Sequence, residues 1–172
     1  MRNLQPFLRW VVVLMGNIIA LSGCTYAAMQ KLSLDEQAEF HLYQKVMTPS
    51  QERDYLAKGT AAERTAYLSA IGLVQRFQAL DPLDRETVRG GVPRVGMSAE
   101  ALLFLWGIPY YTAGDASRYA HWYYLGSSFD LATYGNQYTK SSNRVDVYLV
   151  AGKVVGWVDY APNDATPGRR IL

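Results

Sequence analysis

Few residues in this chain are of types that do chemistry, and their spacing withholds most of it. Cysteine occurs once, at Cys24, and histidine twice, at His41 and His121. A lone thiol cannot close a disulfide within the chain, and nothing beside Cys24 would serve it as a base. His41 has Glu39 for a neighbour and His121 sits in an aromatic run, Tyr119–Leu125. No His/Cys/Asp cluster has zinc spacing. Ser127-Ser128 lacks the glycine frame of a nucleophile elbow, and Gly90-Gly91 matches neither a P-loop nor a dinucleotide fingerprint. Asp35/Glu36 and Asp84/Glu86 read as solvated helix starts. The catalytic templates therefore fall short, and the expectation is a protein that is not an enzyme and holds no cofactor or metal.

The segment before the cysteine gives the thiol another use. Arg2 and Arg9 flank the start of WVVVLMGNIIAL, residues 10–21, an apolar run of signal-peptide length that ends in Leu21-Ser22-Gly23-Cys24. A membrane span needs about 20 apolar residues; this run is shorter and carries Asn17. The run of small residues resembles the lipobox of bacterial lipoprotein precursors. That resemblance implies cleavage between Gly23 and Cys24 and a lipid on the Cys24 thiol. Thr25, in place of the Asp that favours inner-membrane retention, implies the outer membrane, facing the periplasm. Three acyl chains would anchor the protein firmly, since two such signals already suffice.

Cleavage there leaves about 150 residues, one ordinary domain. It also removes Arg2 and Arg9, which brings the 17 basic residues level with the 15 acidic ones. With no net charge and no basic run, the chain lacks the footprint of a nucleic-acid binder.

Residues 24–32 are expected as a tether and 33–93 as a helical region. Ser33-Leu34-Asp35-Glu36, Thr48-Pro49-Ser50-Gln51 and Thr60-Ala61-Ala62-Glu63 all have capping-box spacing. Leu34, Ala38, Leu42 and Val46 predict the apolar face of the first helix. Tyr67, Ala70, Ile71, Val74 and Phe77 predict one continuous stripe on the third, closed by Asp81-Pro82. A further turn covers Asp84–Arg89. Ser98 caps a short helix stopped by Gly107 and Pro109, apolar almost all round and so expected to be buried.

Tyr119–Leu125, Arg144–Val150 and Lys153–Tyr160 predict three strands, the last two joined by Ala151-Gly152. Uninterrupted pairing across that turn sets Leu149 opposite Val154, Val147 opposite Gly156 and Val145 opposite Val158. On the other face it sets Arg144 opposite Asp159 and Tyr148 opposite Val155. Residues 126–143 read as a polar connection with a strand-like stretch at Phe129–Tyr134, and 161–172 as a flexible tail. The fold expected is α+β: a helical N-terminal block, then a short helix on a three-stranded antiparallel sheet.

Gly96-Met97-Ser98, Leu105-Trp106-Gly107-Ile108-Pro109, Trp122-Tyr123-Tyr124, Val145–Val150 and Gly152-Lys153-Val154 occur in that order. In this, residues 94–160 resemble the outer-membrane lipoprotein A / small protein A family, the BamE-like modules of β-barrel assembly. The resemblance implies an αα-βββ module and a role in assembly or maintenance of the cell envelope. The helical region and the long 126–143 connection have no counterpart in the minimal family fold.

Thirteen tyrosines and four tryptophans make aromatics the remaining candidates for function. Tyr123, Tyr134, Tyr138, Tyr148 and Trp157 are the candidate binding surface, because Tyr and Trp favour interface hot spots. The same residues read equally as packing of the sheet. Two partners fit an exposed set: an envelope protein, or a glycan, peptidoglycan strand or small ligand stacked on the rings.

Overall fold

The computed structural model describes residues 27–135, 143–160 and 170–171. Each expected capping box forms. Ser33 and Glu36 satisfy each other's backbone N–H at the start of α1 (Leu34–Tyr43). Thr48 and Gln51 do so for α2 (Pro49–Leu56), and Thr60 and Glu63 for α3 (Ala61–Ala70). A 3₁₀ turn, Gln44–Val46, links α1 to α2.

The face α1 buries is not the expected one. Phe40 and Tyr43 enter the core, while Leu34 is 83% exposed, Ala38 is exposed and Leu42 is only half-buried; of the expected stripe, Val46 is buried, in the 3₁₀ turn beyond α1. Two aromatic rings bury more surface than the aliphatic stripe, so they set the rotation. The continuous third helix also breaks. Gly72 adopts φ +79°, a left-handed conformation that closes α3 and starts α4 (Leu73–Gln78). Leu68, Leu73 and Phe77 are buried, whereas Tyr67, Ile71 and Val74 pack on the core only in part.

Next come α5 (Pro82–Gly90), capped by Asp81 with Pro82 in its first turn, and α6 (Ala99–Trp106), capped by Ser98. Asp84 is no solvated helix start. It is 1% exposed and accepts hydrogen bonds from Arg94 Nη2 (2.8 Å) and the Ser98 amide (2.9 Å), tying α5 to the start of α6. Glu36 likewise pairs with Arg64. Bonds from Arg64 and then from Ser33 hold its carboxyl down to about 2.

The sheet is antiparallel in the order β1 (Tyr111–Asp115), β2 (Tyr119–Leu125), β3 (Arg144–Val150), β4 (Lys153–Tyr160), β5 (Arg170–Ile171). The expected three strands are thus joined by two more. β1 was hidden because Gly114-Asp115 reads as a turn. Gly114 sits at φ +84°, where a Cβ would come within 2.4 Å of the Tyr119 carbonyl. Two-residue β5 pairs with Trp157 and Val158, so the expected tail is held at residues 170–171. The stretch at 129–134 is helical, α7 (Ser128–Tyr134), started by a Ser127/Asp130 capping box.

Ala151 and Gly152 both take positive φ, as a type I′ hairpin requires. Leu149 pairs with Val154 as expected, and there the register slips. A bulge at Val155 leaves Tyr148 opposite Gly156, Val147 opposite Trp157, Val145 opposite Asp159 and Arg144 opposite Tyr160. One extra residue exchanges the faces of everything beyond it.

α6 is the centre of the molecule. Trp106 packs edge-on against Tyr124 (5.5 Å) and Trp157 (6.3 Å) on the sheet. Phe104 meets Tyr43 and Phe77 of the helical region. Residues 33–93 and 94–160 therefore share one core, and the expected tether is shorter, since residues 27–29 are helical and Leu32 is buried within that core. Lys45 joins the two regions again. Its ammonium is buried and donates to Leu105 O (2.8 Å) and Ala132 O (2.6 Å), carbonyls at the C-terminal ends of α6 and α7. Cations are favoured there, but burial still pulls its pKa down to about 8.

Candidate interaction face

The two faces of the sheet follow from strand alternation. Ala120, Trp122 and Tyr124 of β2, with Val145, Val147 and Leu149 of β3, are buried towards α6. The opposite positions carry Tyr119, His121 and Tyr123 on β2, and Arg144, Asp146, Tyr148 and Val150 on β3. β1 places Tyr111 beside Tyr123 and Ala113 beside His121. β4 adds Tyr160 beside Arg144.

These side chains form a ladder across three strands. The Tyr111 and Tyr123 rings lie 5.5 Å apart, Tyr123 and His121 4.1 Å, and His121 and Tyr148 4.4 Å with planes only 20° apart. The Arg144 guanidinium lies over Tyr160 at 4.6 Å and Tyr123 at 6.0 Å. Asp146 sits almost fully buried beneath, with Arg144 Nε 2.8 Å from Oδ1 and His121 Nε2 3.6 Å from Oδ2. Among the described residues, the ring and ion-pair contacts of this face are all between strand residues. Tyr111, Tyr119 and Val150 at its margins remain 59%, 57% and 44% exposed.

The electrostatics are poised. Burial lowers the His121 pKa, which the Asp146 charge opposes and the Arg144 charge reinforces. Burial raises the Asp146 pKa against the pull of Arg144 and His121. His121 is therefore neutral at pH 7. Its buried Nε2 has no hydrogen-bond partner and lies just beyond bonding reach of a carboxylate.

Of the expected surface, the structure brings together Tyr123 and Tyr148, joined through His121. Trp157 is a correction: it is 7% exposed and packs on Trp106 on the inner face, because the Val155 bulge turned it there. Tyr134 closes α7, and its side chain, like Gly23, Cys24 and Tyr138, lies outside the described residues. Sequence reasoning missed Arg144 and Asp146 and set His121 aside as an ordinary histidine. The signal was available at alternate positions: His121 and Tyr123 on one strand, Arg144, Asp146 and Tyr148 on the next.

Among the described residues, no His/Cys/Asp/Glu group could hold a metal ion, and no helix is long and apolar enough to cross a membrane. Comparison with known proteins returned no matching family, no similar curated protein and no similar solved structure.

Proposed function

We propose that this chain is a lipid-anchored, non-enzymatic module of the cell envelope that docks an envelope protein on the outer face of its sheet. The observation that carries the docking surface is the Tyr111–Tyr123–His121–Tyr148 ladder, continuous across three strands and edged by exposed Tyr119 and Val150. Contiguous apolar patches on a sheet mark interaction sites more reliably than single exposed residues. The anchor rests on the Leu21–Cys24 run, and the envelope-assembly role at the outer membrane on the BamE-like resemblance of residues 94–160. Tethering would act by raising the local concentration of module and partner.

A glycan-binding face has weaker support. His121 stacks on Tyr148 at 4.4 Å and is crowded by a tilted Tyr123 ring at 4.1 Å, so these rings spend much of their faces on each other, and a pyranose needs a free face. Tyrosines, apolar with a polar tip, suit a protein surface.

Two experiments test the proposal. Metabolic labelling with a palmitate analogue should mark the protein, and Cys24→Ala should abolish the label and leave the precursor uncut; label that survives the substitution removes the anchor. A photocrosslinking residue at Tyr119 or Tyr111 should capture one envelope protein in intact cells, whereas the same residue at Leu34, exposed on the helical side, should not. Capture of peptidoglycan fragments instead would favour the glycan reading.

A further inference from the structure

Because Phe40 and Tyr43 set the rotation of α1, part of its apolar stripe is turned outward. Leu34 and Ala38 lie one turn apart on the same side of the helix. Leu34 is 83% exposed, Ala38 is exposed, and Leu42, a further turn on, is half-buried against the core. Two of the helix's acids are drawn away from this side, Glu36 to Arg64 and Glu39 to the Thr65 hydroxyl, both on α3. Asp35 and His41 are exposed at its margins. An exposed leucine needs no explanation by itself. What gives this one a meaning is its place in the chain.

The fold begins almost at the cysteine. Residues 27–29 are helical, Met29 packs on the core and Leu32 is buried within it. Only Thr25 and Tyr26 separate residue 27 from Cys24. An extended chain spans at most about 3.6 Å per residue, so the lipid-bearing thiol lies within roughly 11 Å of residue 27. The headgroup layer alone is about 5–7 Å deep. Such a tether holds the start of α1 against the leaflet. Lys31, exposed just ahead of α1, is a cation of the kind whose stem lies along an apolar boundary while its ammonium reaches the headgroup phosphates.

The layers of the fold then decide what faces away. α1 packs through Tyr43 on Phe104 of α6, and α6 packs through Trp106 on the inner face of the sheet. The stripe on α1 and the outer face of the sheet are therefore on opposite sides of the molecule.

We propose that α1 lies on the lipid leaflet that holds the acyl chains, with Leu34 and Ala38 set into its interface and the Tyr111–Tyr148 ladder directed away from the membrane. This deepens the proposed function and rests on its lipid anchor at Cys24. The acyl chains supply the affinity, and the stripe supplies the orientation, as the apolar side of an interfacial helix does. The occupant is lipid because the tether leaves no gap at this end of α1 for a protein to enter. Turning the module over would return Leu34 to water and press the docking face on the membrane.

The test uses the full acylated protein in nanodiscs of phosphatidylcholine, with its acyl chains verified by intact mass. Acylation consumes the Cys24 thiol, so a cysteine introduced elsewhere is the one free thiol to carry a nitroxide label. Leu34→Cys and Ala38→Cys report on the stripe, the second with Leu34 still in place, and Val150→Cys reports on the margin of the docking face. Melting curves matching the parent's confirm that the labelled variants are folded. Collision with oxygen, which partitions into lipid, and with a water-soluble nickel chelate reads the surroundings of each label. The ratio of oxygen to nickel accessibility should be raised at 34 and 38 relative to the same protein in detergent-free buffer after proteolytic release from its acylated cysteine, and should be unchanged at 150. Equal ratios at 34, 38 and 150 would overturn the orientation while leaving the anchor standing. Labels at 34 and 38 closed to both reagents would overturn it in favour of a protein or a second copy covering α1. A raised ratio at 150 would mean that the module lies the other way up. A chain whose mass shows no acyl groups overturns the anchor itself, and this orientation with it.

Discussion

The two faces of the sheet use the same strands and much the same residue types to opposite ends. On the inner face, Trp106 and Trp157 meet edge to face among aliphatic neighbours, and burial does the stabilising. On the outer face the rings stack along the sheet and interleave with Arg144, Asp146 and His121, groups that burial penalises. A face that keeps ionisable groups at a cost to stability, when apolar residues would pack there, fits the docking surface proposed for it. That difference predicts that inner-face substitutions read out in stability and outer-face substitutions in pH dependence and binding.

The largest effect should come from Trp106→Ala. The ring is fully buried and touches both Tyr124 and Trp157, so its removal leaves a cavity at the junction of helices and sheet. Truncations of this kind cost about 3–5 kcal/mol. Denaturant unfolding should show a lower midpoint with no gain in residual structure. A loss under about 1 kcal/mol, the ordinary scale of a point mutation, would mean that α6 is not the centre of the core.

Lys45→Met should rank next. The side chain keeps its apolar stem, but Leu105 O and Ala132 O lose their donor. A buried polar group left unsatisfied costs about 1–3 kcal/mol. The pH dependence separates this from simple packing. With its folded pKa pulled down to about 8, below the ordinary 10.5, Lys45 holds fewer protons folded than unfolded between those values. Its contribution to stability must therefore rise as pH increases from about 8 to 10.5, and fall as pH drops back through 8. The parent should show that rise and Lys45→Met should not, in unfolding measured across the alkaline limb.

How much of this was readable beforehand depends on whether the cause was local. The three capping boxes, the Ser98 cap and the Ala151-Gly152 turn are satisfied within a few residues of themselves, and all form where their spacing implied. The bulge at Val155 is not local in this sense. Gly156 inside the strand hints at a bulge without fixing its place, yet the extra residue decides that Trp157 faces the core and Val158 the opposite face. β1 was obscured because Gly114-Asp115 joins a strand only through its pairing with β2, with Gly114 itself at φ +84°. The Ser127/Asp130 box had the same form as the boxes recognised earlier, but the β-branched and aromatic content of the stretch after it argued for a strand. Of the candidate face, Tyr123 and Tyr148 were legible as types; their meeting through His121 depends on cross-strand register.

The outer face should declare itself through protons. His121, with its folded pKa depressed by burial, stabilises the fold fully above its ordinary value of 6.5, and that stability is lost as pH falls through the folded value. His121→Phe keeps a ring in the stack and removes the titration, so it should flatten the acid limb of the unfolding profile between pH 6.5 and lower values. If the acid limb is unchanged, the ladder does not bury His121 as described.

The smallest effect is the sharpest on geometry. Asp146 is the one neighbour whose charge raises the His121 pKa, acting against burial and Arg144. Asp146→Asn removes that charge while keeping the shape of the side chain. The His121 ring resonances, followed by NMR across pH, should therefore titrate at a lower pH in Asp146→Asn than in the parent. A midpoint that moves upward would place the carboxylate out of electrostatic reach of the imidazole. An intermediate substitution, Arg144→Gln, should move the midpoint the opposite way, because Arg144 lowers it. The two shifts of opposite sign cannot arise from a general loosening of the sheet, which would carry His121 towards its ordinary value in both variants. They follow only if Arg144, Asp146 and His121 share one face in the register that the Val155 bulge leaves to β3 and its neighbours.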